Sequence, residues 1–311
     1  MTAAREEILV LRPSSAYLDS ELDRLYRTSR PHLSASPDGV IEASSGASAL
    51  VTTGSYGVPD ALWPRLPNLR LVAVHGVGLD QVDPARAEAL GVKIVTTPDA
   101  LTEDVADLAI GLWLAASRRM GESERYVRAG AWPSSPLPAL SRRASGRRVG
   151  VLGFGRIGRA IADRARPFAG EVRYFNRSPV QERDEQPMPS LLDLAAWSEV
   201  LFIAASGGPD SRGMVDASVL EALGAEGLLI NIARGAVVDE PALVAALTSG
   251  RLGGAGLDVF VDEPNVPAEL LTLDNVVLQP HRGSATVDGR KGMAAAVLEA
   301  LRSHFQLSGL D

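Results

Sequence analysis

The sequence predicts an α/β architecture with two domains, each built on a doubly wound parallel sheet, and three observations predict it. The chain has 311 residues, more than one average domain needs and enough to bury two sizeable cores. Short β-branched runs alternate with amphipathic stretches along most of its length, the rhythm of βαβ units. A glycine-rich turn, Gly153-Phe154-Gly155-Arg156-Ile157-Gly158, stands directly between one such run and a helical stretch, the setting in which such a turn binds phosphate.

The first half reads "EILVL", "YLDSELDRLYR", "ALVTTG", "DALWPRL", "LRLVAVHG", "PARAEAL" and "VKIVTT". Strands joined through helices pair in parallel. A helical pattern then runs from Thr102 to about Met120, with Glu103 and Asp104 at its start and Arg118 and Arg119 at its end, charges that suit the helix dipole. This helix is expected to bridge two domains. The segment "WPSSPLPALSRRASGRR" has no period and reads as an irregular connection; its arginines are expected to be solvated, because no stacking aromatics are interleaved with them. From Arg148 onward six strands are expected, at "RVGVL", "EVRYF", "EVLFIA", "GLLINI", "GAGLDVF" and "NVVLQ". The final "VDGRKGMAAAVLEALRSHFQL" is an amphipathic helix with no strand after it, so it is expected to return to the first domain. The expected boundaries are therefore 1–99 completed by 284–311 for a substrate domain, and 100–283 for a nucleotide domain.

Composition narrows the function. A net charge of −7 leaves no broad cationic surface for nucleic acid or anionic lipid, so an anionic ligand needs a local site. With no cysteine, disulfides, thiolate catalysis and cysteine metal sites are excluded. No apolar run approaches the length that spans a bilayer. The expectation is a soluble cytoplasmic protein with no nucleic-acid partner, no membrane partner and no metal.

Within the glycine turn each position has a physical task. Gly153 permits the tight turn, Gly155 lets backbone approach a pyrophosphate, Gly158 allows close helix packing, and the helix opening at Arg156 and Ile157 presents N–H donors. About 20 residues further on, dinucleotide folds carry an acid for the ribose hydroxyls. Here that place holds Asn176-Arg177-Ser178. Donors and positive charge suit a 2′-phosphate, which a carboxylate would repel. The expected cofactor is NADP(H), with NAD(H) possible; Arg177 as a plain solvent-facing side chain is the alternative. At or just after later strand ends come Arg234 in "NIARGAVVDE", Asp258 and Glu263 in "LDVFVDEP", and His281 in "LQPHRGSAT". Ligands bind at that edge of open α/β sheets, and an arginine, a carboxylate and a histidine together suit carbonyl reduction.

These stretches, with "VHGVGLDQVD" and "TPDALTEDVADLAIGLWLA", resemble the D-isomer-specific 2-hydroxyacid dehydrogenases over nearly the whole chain, and most of all the glyoxylate, hydroxypyruvate and hydroxyphenylpyruvate reductases. The resemblance implies two Rossmann-like or flavodoxin-like domains with the active site in the cleft between them. It implies a 2-oxo or 2-hydroxy acid as substrate and a homodimer paired through the long helix and the adjoining arm. Carried over, Arg234 binds the substrate carboxylate and carbonyl, His281 is the acid/base, Glu263 pairs with the imidazole, and Asp258 holds the nicotinamide carboxamide. Gly76-Val77-Gly78 offer backbone N–H groups to the carboxylate. Tyr56 and His75 are candidate pocket residues; His75 is otherwise a histidine packed at a strand end. Trp132 either reaches the neighbouring subunit's site or packs in the dimer. Two alternatives stay open: a cofactor-sensing corepressor-like binding protein, and an NAD-dependent phosphoglycerate-type dehydrogenase.

Overall fold

The computed structural model describes residues 5–178, 180 and 183–306. The chain divides into two compact units, one formed by Met1–Leu101 with Ala285–Asp311 and the other by Thr102–Ser284.

In the first unit, strands β1 (Glu7–Val10), β2 (Arg27–Ser29), β3 (Ala49–Thr52), β4 (Leu71–Val74) and β5 (Lys93–Val95) form a sheet of order β2-β1-β3-β4-β5. Every neighbouring pair is parallel. Alternation along β1 explains why both faces are covered. Ile8 and Val10 pack with Leu18 and Leu22 of helix Ala16–Leu25 and with Ala294, Val297, Leu298 and Leu301 of helix Val287–His304. Leu9 faces the other way, into a cluster with Leu50, Val72, Val74, Trp63 and Leu66. Each such side chain contributes about 1.5–3 kcal/mol when fully buried. Because all strands run the same way, their following loops gather on one edge. There the loops after β3 and β4 are tied together: Gln81 N–H donates to the Gly54 carbonyl at 3.1 Å, and Val58 N–H to the Gln81 carbonyl at 3.0 Å.

The second unit contains β6 (Arg148–Leu152), β7 (Glu171–Phe175), β8 (Gln186–Pro187), β9 (Val200–Ile203), β10 (Leu228–Asn231), β11 (Gly254–Leu257) and β12 (Val276–Leu278). Their order is β12-β11-β10-β9-β6-β7-β8, again parallel throughout. The strand order reverses at β6, which lies between β7 and β9. That is the switch point where such sheets bind ligands. Six of these strands match the sequence pattern. The seventh, β8, has two residues and no period to read, and its proline suits only an edge.

The long helix ends sooner than expected. It spans Thr102–Ser117; Arg119 then turns left-handed at φ 50°, and a separate helix runs Met120–Arg128. The first helix buries Val105, Ala109, Leu112 and Trp113, whereas none of Met120–Arg128 is buried. Without an apolar face to hold it, nothing forces the second stretch to continue the axis of the first. The arginines of the connection that follows are partly paired: Arg142 meets Glu226 at 2.8 Å and Arg147 meets Glu199 at 2.5 Å. Among the described residues, no helix is long and apolar enough to cross a membrane.

Candidate active site

The glycine turn leaves β6 and enters helix Arg156–Ala165 without an intervening loop. Gly153 has φ +87°, and a Cβ there would lie 2.5 Å from Ala205 backbone atoms at the end of β9. At Gly158 a Cβ would come within 2.0 Å of the Gly153 carbonyl oxygen, so the helix start can lie against the turn only because both are glycine. Nothing lies within 4 Å of the place a Cβ would take at Gly155. Gly155 and Arg156 are exposed and Ile157 is half-buried. The turn thus leaves an open cradle over the helix N-terminus, which fits a dinucleotide pyrophosphate.

Of the residues expected to read the ribose, Asn176 also makes structural bonds. Its Oδ1 accepts from Phe154 N–H at 3.0 Å and its Nδ2 donates to the Ser178 carbonyl at 2.8 Å, tying the strand end to the glycine turn. Both ends of the amide are engaged, which positions the side chain, and the second Nδ2 hydrogen is left over from these bonds. Arg177 and Ser178 are exposed. Arg177 does not stand alone: its Nη1 meets Asp210 Oδ2 at 2.7 Å, with both side chains close to four-fifths exposed. Asp210 lies after β9, and no periodicity could have linked it to Arg177.

On the same sheet edge, His281 Nδ1 lies 2.7 Å from Glu263 Oε2, while Glu263 Oε1 accepts from Phe260 N–H at 3.1 Å. The Glu263 hydrogen bond holds the His281 pKa above its ordinary value, outweighing burial and the nearby Arg234 charge, both of which lower it. Burial pushes the Glu263 carboxyl upward, but the bonds from His281 and Phe260 leave it below the usual range. His281 has φ +53°, a conformation uncommon for a non-glycine residue. Asp258 explains how it is held. The carboxylate is 1 % exposed and accepts from Arg282 N–H at 2.6 Å and Gly283 N–H at 2.8 Å, while the Asp258 carbonyl accepts from His281 N–H. Desolvation raises its pKa despite these bonds. Asp258, expected at the nicotinamide carboxamide, is buried, and its carboxylate clamps the turn that carries the histidine.

Asn231 was not legible as a site residue. It ends β10 at 1 % exposure; its Oδ1 accepts from Ala233 N–H and its Nδ2 donates to the Arg234 carbonyl, both at 3.0 Å. One amide among the apolar residues of "LLIN" was its only signal. Arg234 in turn sends Nη1 to the Ala233 carbonyl at 2.7 Å. The arginine is therefore presented by a fastened turn.

In the first unit, Gly76 differs from expectation. Its N–H donates to the Val74 carbonyl at 2.9 Å, which leaves the Val77 and Gly78 N–H groups as the candidate donors of the nest. Val77 is exposed and Gly78 half-buried, and among the described residues neither N–H has a partner. His75 is 4 % exposed, and desolvation, with help from Arg290, lowers its pKa to about 4. It is a neutral histidine packed at the end of β4, not a residue of the open edge. Tyr56 is partly exposed, with Arg12 stacked on its ring. Trp132 follows the second helix and is 66 % exposed.

A parallel sheet with this turn at its switch point, and a carboxylate-held histidine on the same edge, defines the class of dinucleotide-binding α/β proteins. The family described as D-isomer specific 2-hydroxyacid dehydrogenase, NAD binding domain, matches residues 110–283. A glyoxylate/hydroxypyruvate reductase A of Arabidopsis thaliana is 44 % identical over 299 residues, covering 96 % of this chain and 95 % of the relative. A hydroxyphenylpyruvate reductase of Plectranthus scutellarioides is 45 % identical over 299 residues, with the same coverage. The crystal structure of an NADPH-dependent glyoxylate/hydroxypyruvate reductase of Sinorhizobium meliloti, in complex with NADP and malonate, superposes with a TM-score of 0.90 at 37 % identity, covering 98 % of this chain and 95 % of that one. The chain belongs to the D-isomer-specific 2-hydroxyacid dehydrogenases.

Proposed function

We propose that the protein reduces a small 2-oxo acid, of the glyoxylate and hydroxypyruvate class, to the D-2-hydroxy acid, with NADPH preferred over NADH. The observation that carries this reading is the 2.7 Å His281–Glu263 pair, formed beside Arg234 in a chain whose glycine turn suits a dinucleotide. The bound cofactor supplies the hydride that reaches C2. This chain's residues do the rest. His281 gives a proton to the carbonyl oxygen as C2 becomes a carbinol, and Glu263 fixes the ring orientation and favours the imidazolium. Arg234 binds the substrate carboxylate and the oxygen that gains charge, and Val77 and Gly78 N–H groups serve the carboxylate. Helix Arg156–Ala165 presents its N-terminus to the pyrophosphate. The enzyme works in the cytoplasm as a homodimer, and the exposed Trp132, Leu137 and Leu140 make an apolar arm suited to a second copy.

Steady-state kinetics with a panel of 2-oxo acids, each with NADPH and NADH, tests the reading directly. Arg177→Ala is expected to raise KM for NADPH about tenfold, the worth of roughly 1.5 kcal/mol for one charged hydrogen bond, and to leave KM for NADH nearly unchanged. Asp210→Asn should lower KM for NADPH by less than about fivefold, because an exposed ion pair is worth about 0.2–1 kcal/mol. Equal losses with both cofactors in Arg177→Ala, or a wild-type preference for NADH, speak against a 2′-phosphate site.

The raised pKa of His281 sets the pH dependence. Reduction requires the protonated ring, so kcat/KM is flat below this pKa and falls as pH rises through it. Glu263→Gln removes the main cause of the shift, so the falling limb should move to lower pH. An unmoved limb in the variant's pH–rate profile takes Glu263 out of this role.

A further inference from the structure

The first unit contains a cavity of about 250 Å³ that the proposed chemistry does not use. Its walls include Leu11, Pro31, Ile41, Tyr56, Pro59 and Leu62, and its charged groups include Arg12 and Arg65. The two arginines differ. Arg65 is neutralised by Asp38 at 2.7 Å. Arg12 has no carboxylate partner among the described residues; its guanidinium lies over the Tyr56 ring, 4.2 Å from the centroid. A guanidinium over an aromatic ring still has N–H groups that point past the ring edge for an acceptor, and a planar fork matches a carboxylate. The cavity is smaller than the about 300–1,000 Å³ that takes drug-sized ligands, which suits a short apolar stem.

Its position relates it to the substrate. Arg12 follows β1, Tyr56 follows β3, and the nest follows β4, three adjacent strands of one parallel sheet. At about 4.8 Å per strand, β1 and β4 are roughly 10 Å apart, a gap that an arginine side chain and a short-chain acid can bridge together. The loop that carries Tyr56 is itself bonded to the loop that follows the nest, through Gly54 and Gln81.

We propose that Arg12, stacked on Tyr56, is a specificity residue that binds the far end of the substrate, and that the enzyme favours 2-oxo acids whose short apolar stem ends in a second carboxylate. The inference rests on the 2-oxo acid reading above and extends it to the tail. The decisive comparison is between 2-oxoglutarate and 2-oxopentanoate, which share a five-carbon chain and differ in the terminal carboxylate, with glyoxylate as the tailless reference. In wild type with NADPH, kcat/KM for the diacid should exceed that for the monoacid by tenfold or more. Arg12→Ala and Arg12→Lys should erase most of that ratio, through KM for the diacid, and leave glyoxylate kinetics as they were. No diacid preference in wild type, or a loss that falls equally on all three acids, overturns the proposal. Calorimetric binding of glutarate, which cannot be reduced, separates this proposal from the reading beneath it. If no 2-oxo acid is turned over but glutarate binds wild type and tenfold more weakly to Arg12→Ala, the tail site stands and the reductase reading falls. If the two proteins bind glutarate alike, the tail site falls.

Discussion

Replacing His281 by alanine is expected to lower kcat for 2-oxo acid reduction by about 10²- to 10⁴-fold, the range for loss of a positioned general acid, with NADPH affinity nearly unchanged. The structure explains why the two effects separate. The turn carrying His281 is held through backbone groups: His281 N–H reaches the Asp258 carbonyl, and Arg282 and Gly283 N–H groups reach the Asp258 carboxylate. None of these bonds uses the imidazole. Alanine therefore removes the proposed proton donor and leaves the turn fastened, so the loss is expected in the chemical step. Glu263 loses its partner in the variant, but Phe260 N–H still holds its Oε1. Fluorescence titration with NADPH and steady-state kinetics on the same preparation check both halves. Wild-type kcat in the variant removes His281 from proton transfer, and a matching loss of nucleotide affinity makes its role structural.

The parallel sheets were legible because buried strands must be continuous apolar runs, and "RVGVL" or "LLINI" admits no other economical reading. The glycine turn was legible for a steric reason: Gly153 and Gly158 stand where any side chain meets backbone. Residues whose role depends on a partner distant in sequence were less readable. Asn176 occupies the expected place for a ribose contact, and its amide also joins Phe154 N–H to the Ser178 carbonyl, a pairing that exists only once β6 and β7 lie side by side. Asp258 follows the same logic on the other side of the switch point, where its clamp on the Arg282 and Gly283 N–H groups exists only once β11 and β12 lie side by side. Gly76 shows it at the smallest scale, since a local bond to Val74 claims an N–H that the motif alone leaves available. Arg119, in the turn after the long helix, is the converse case. Its charge suggested a helix running on to about Met120, but burial ends at Ser117 and the helix ends with it.

Arg234→Lys is expected to lower kcat/KM for 2-oxo acids by about 10²- to 10³-fold, comparable to removing an oxyanion-stabilising donor, although the positive charge is kept. Arg234 already holds backbone: its Nη1 donates to the Ala233 carbonyl at 2.7 Å, and the turn beneath it is fixed by both ends of the Asn231 amide. A guanidinium can hold that carbonyl with one nitrogen and still present a planar pair of donors to a carboxylate and a carbonyl oxygen. An ammonium is a point charge with its three donors on one atom. It must choose between the Ala233 carbonyl and the substrate, and from either place it cannot meet two substrate oxygens in the geometry of the fork. Both KM and kcat should therefore suffer, because the interaction is made with the bound acid and strengthens as charge grows on its carbonyl oxygen. The glycine turn lies on a different loop, so nucleotide binding followed by fluorescence should be nearly unchanged. If Arg234→Lys reduces its best 2-oxo acid as efficiently as wild type, Arg234 does not grip the substrate, and the proposed site loses its anchor.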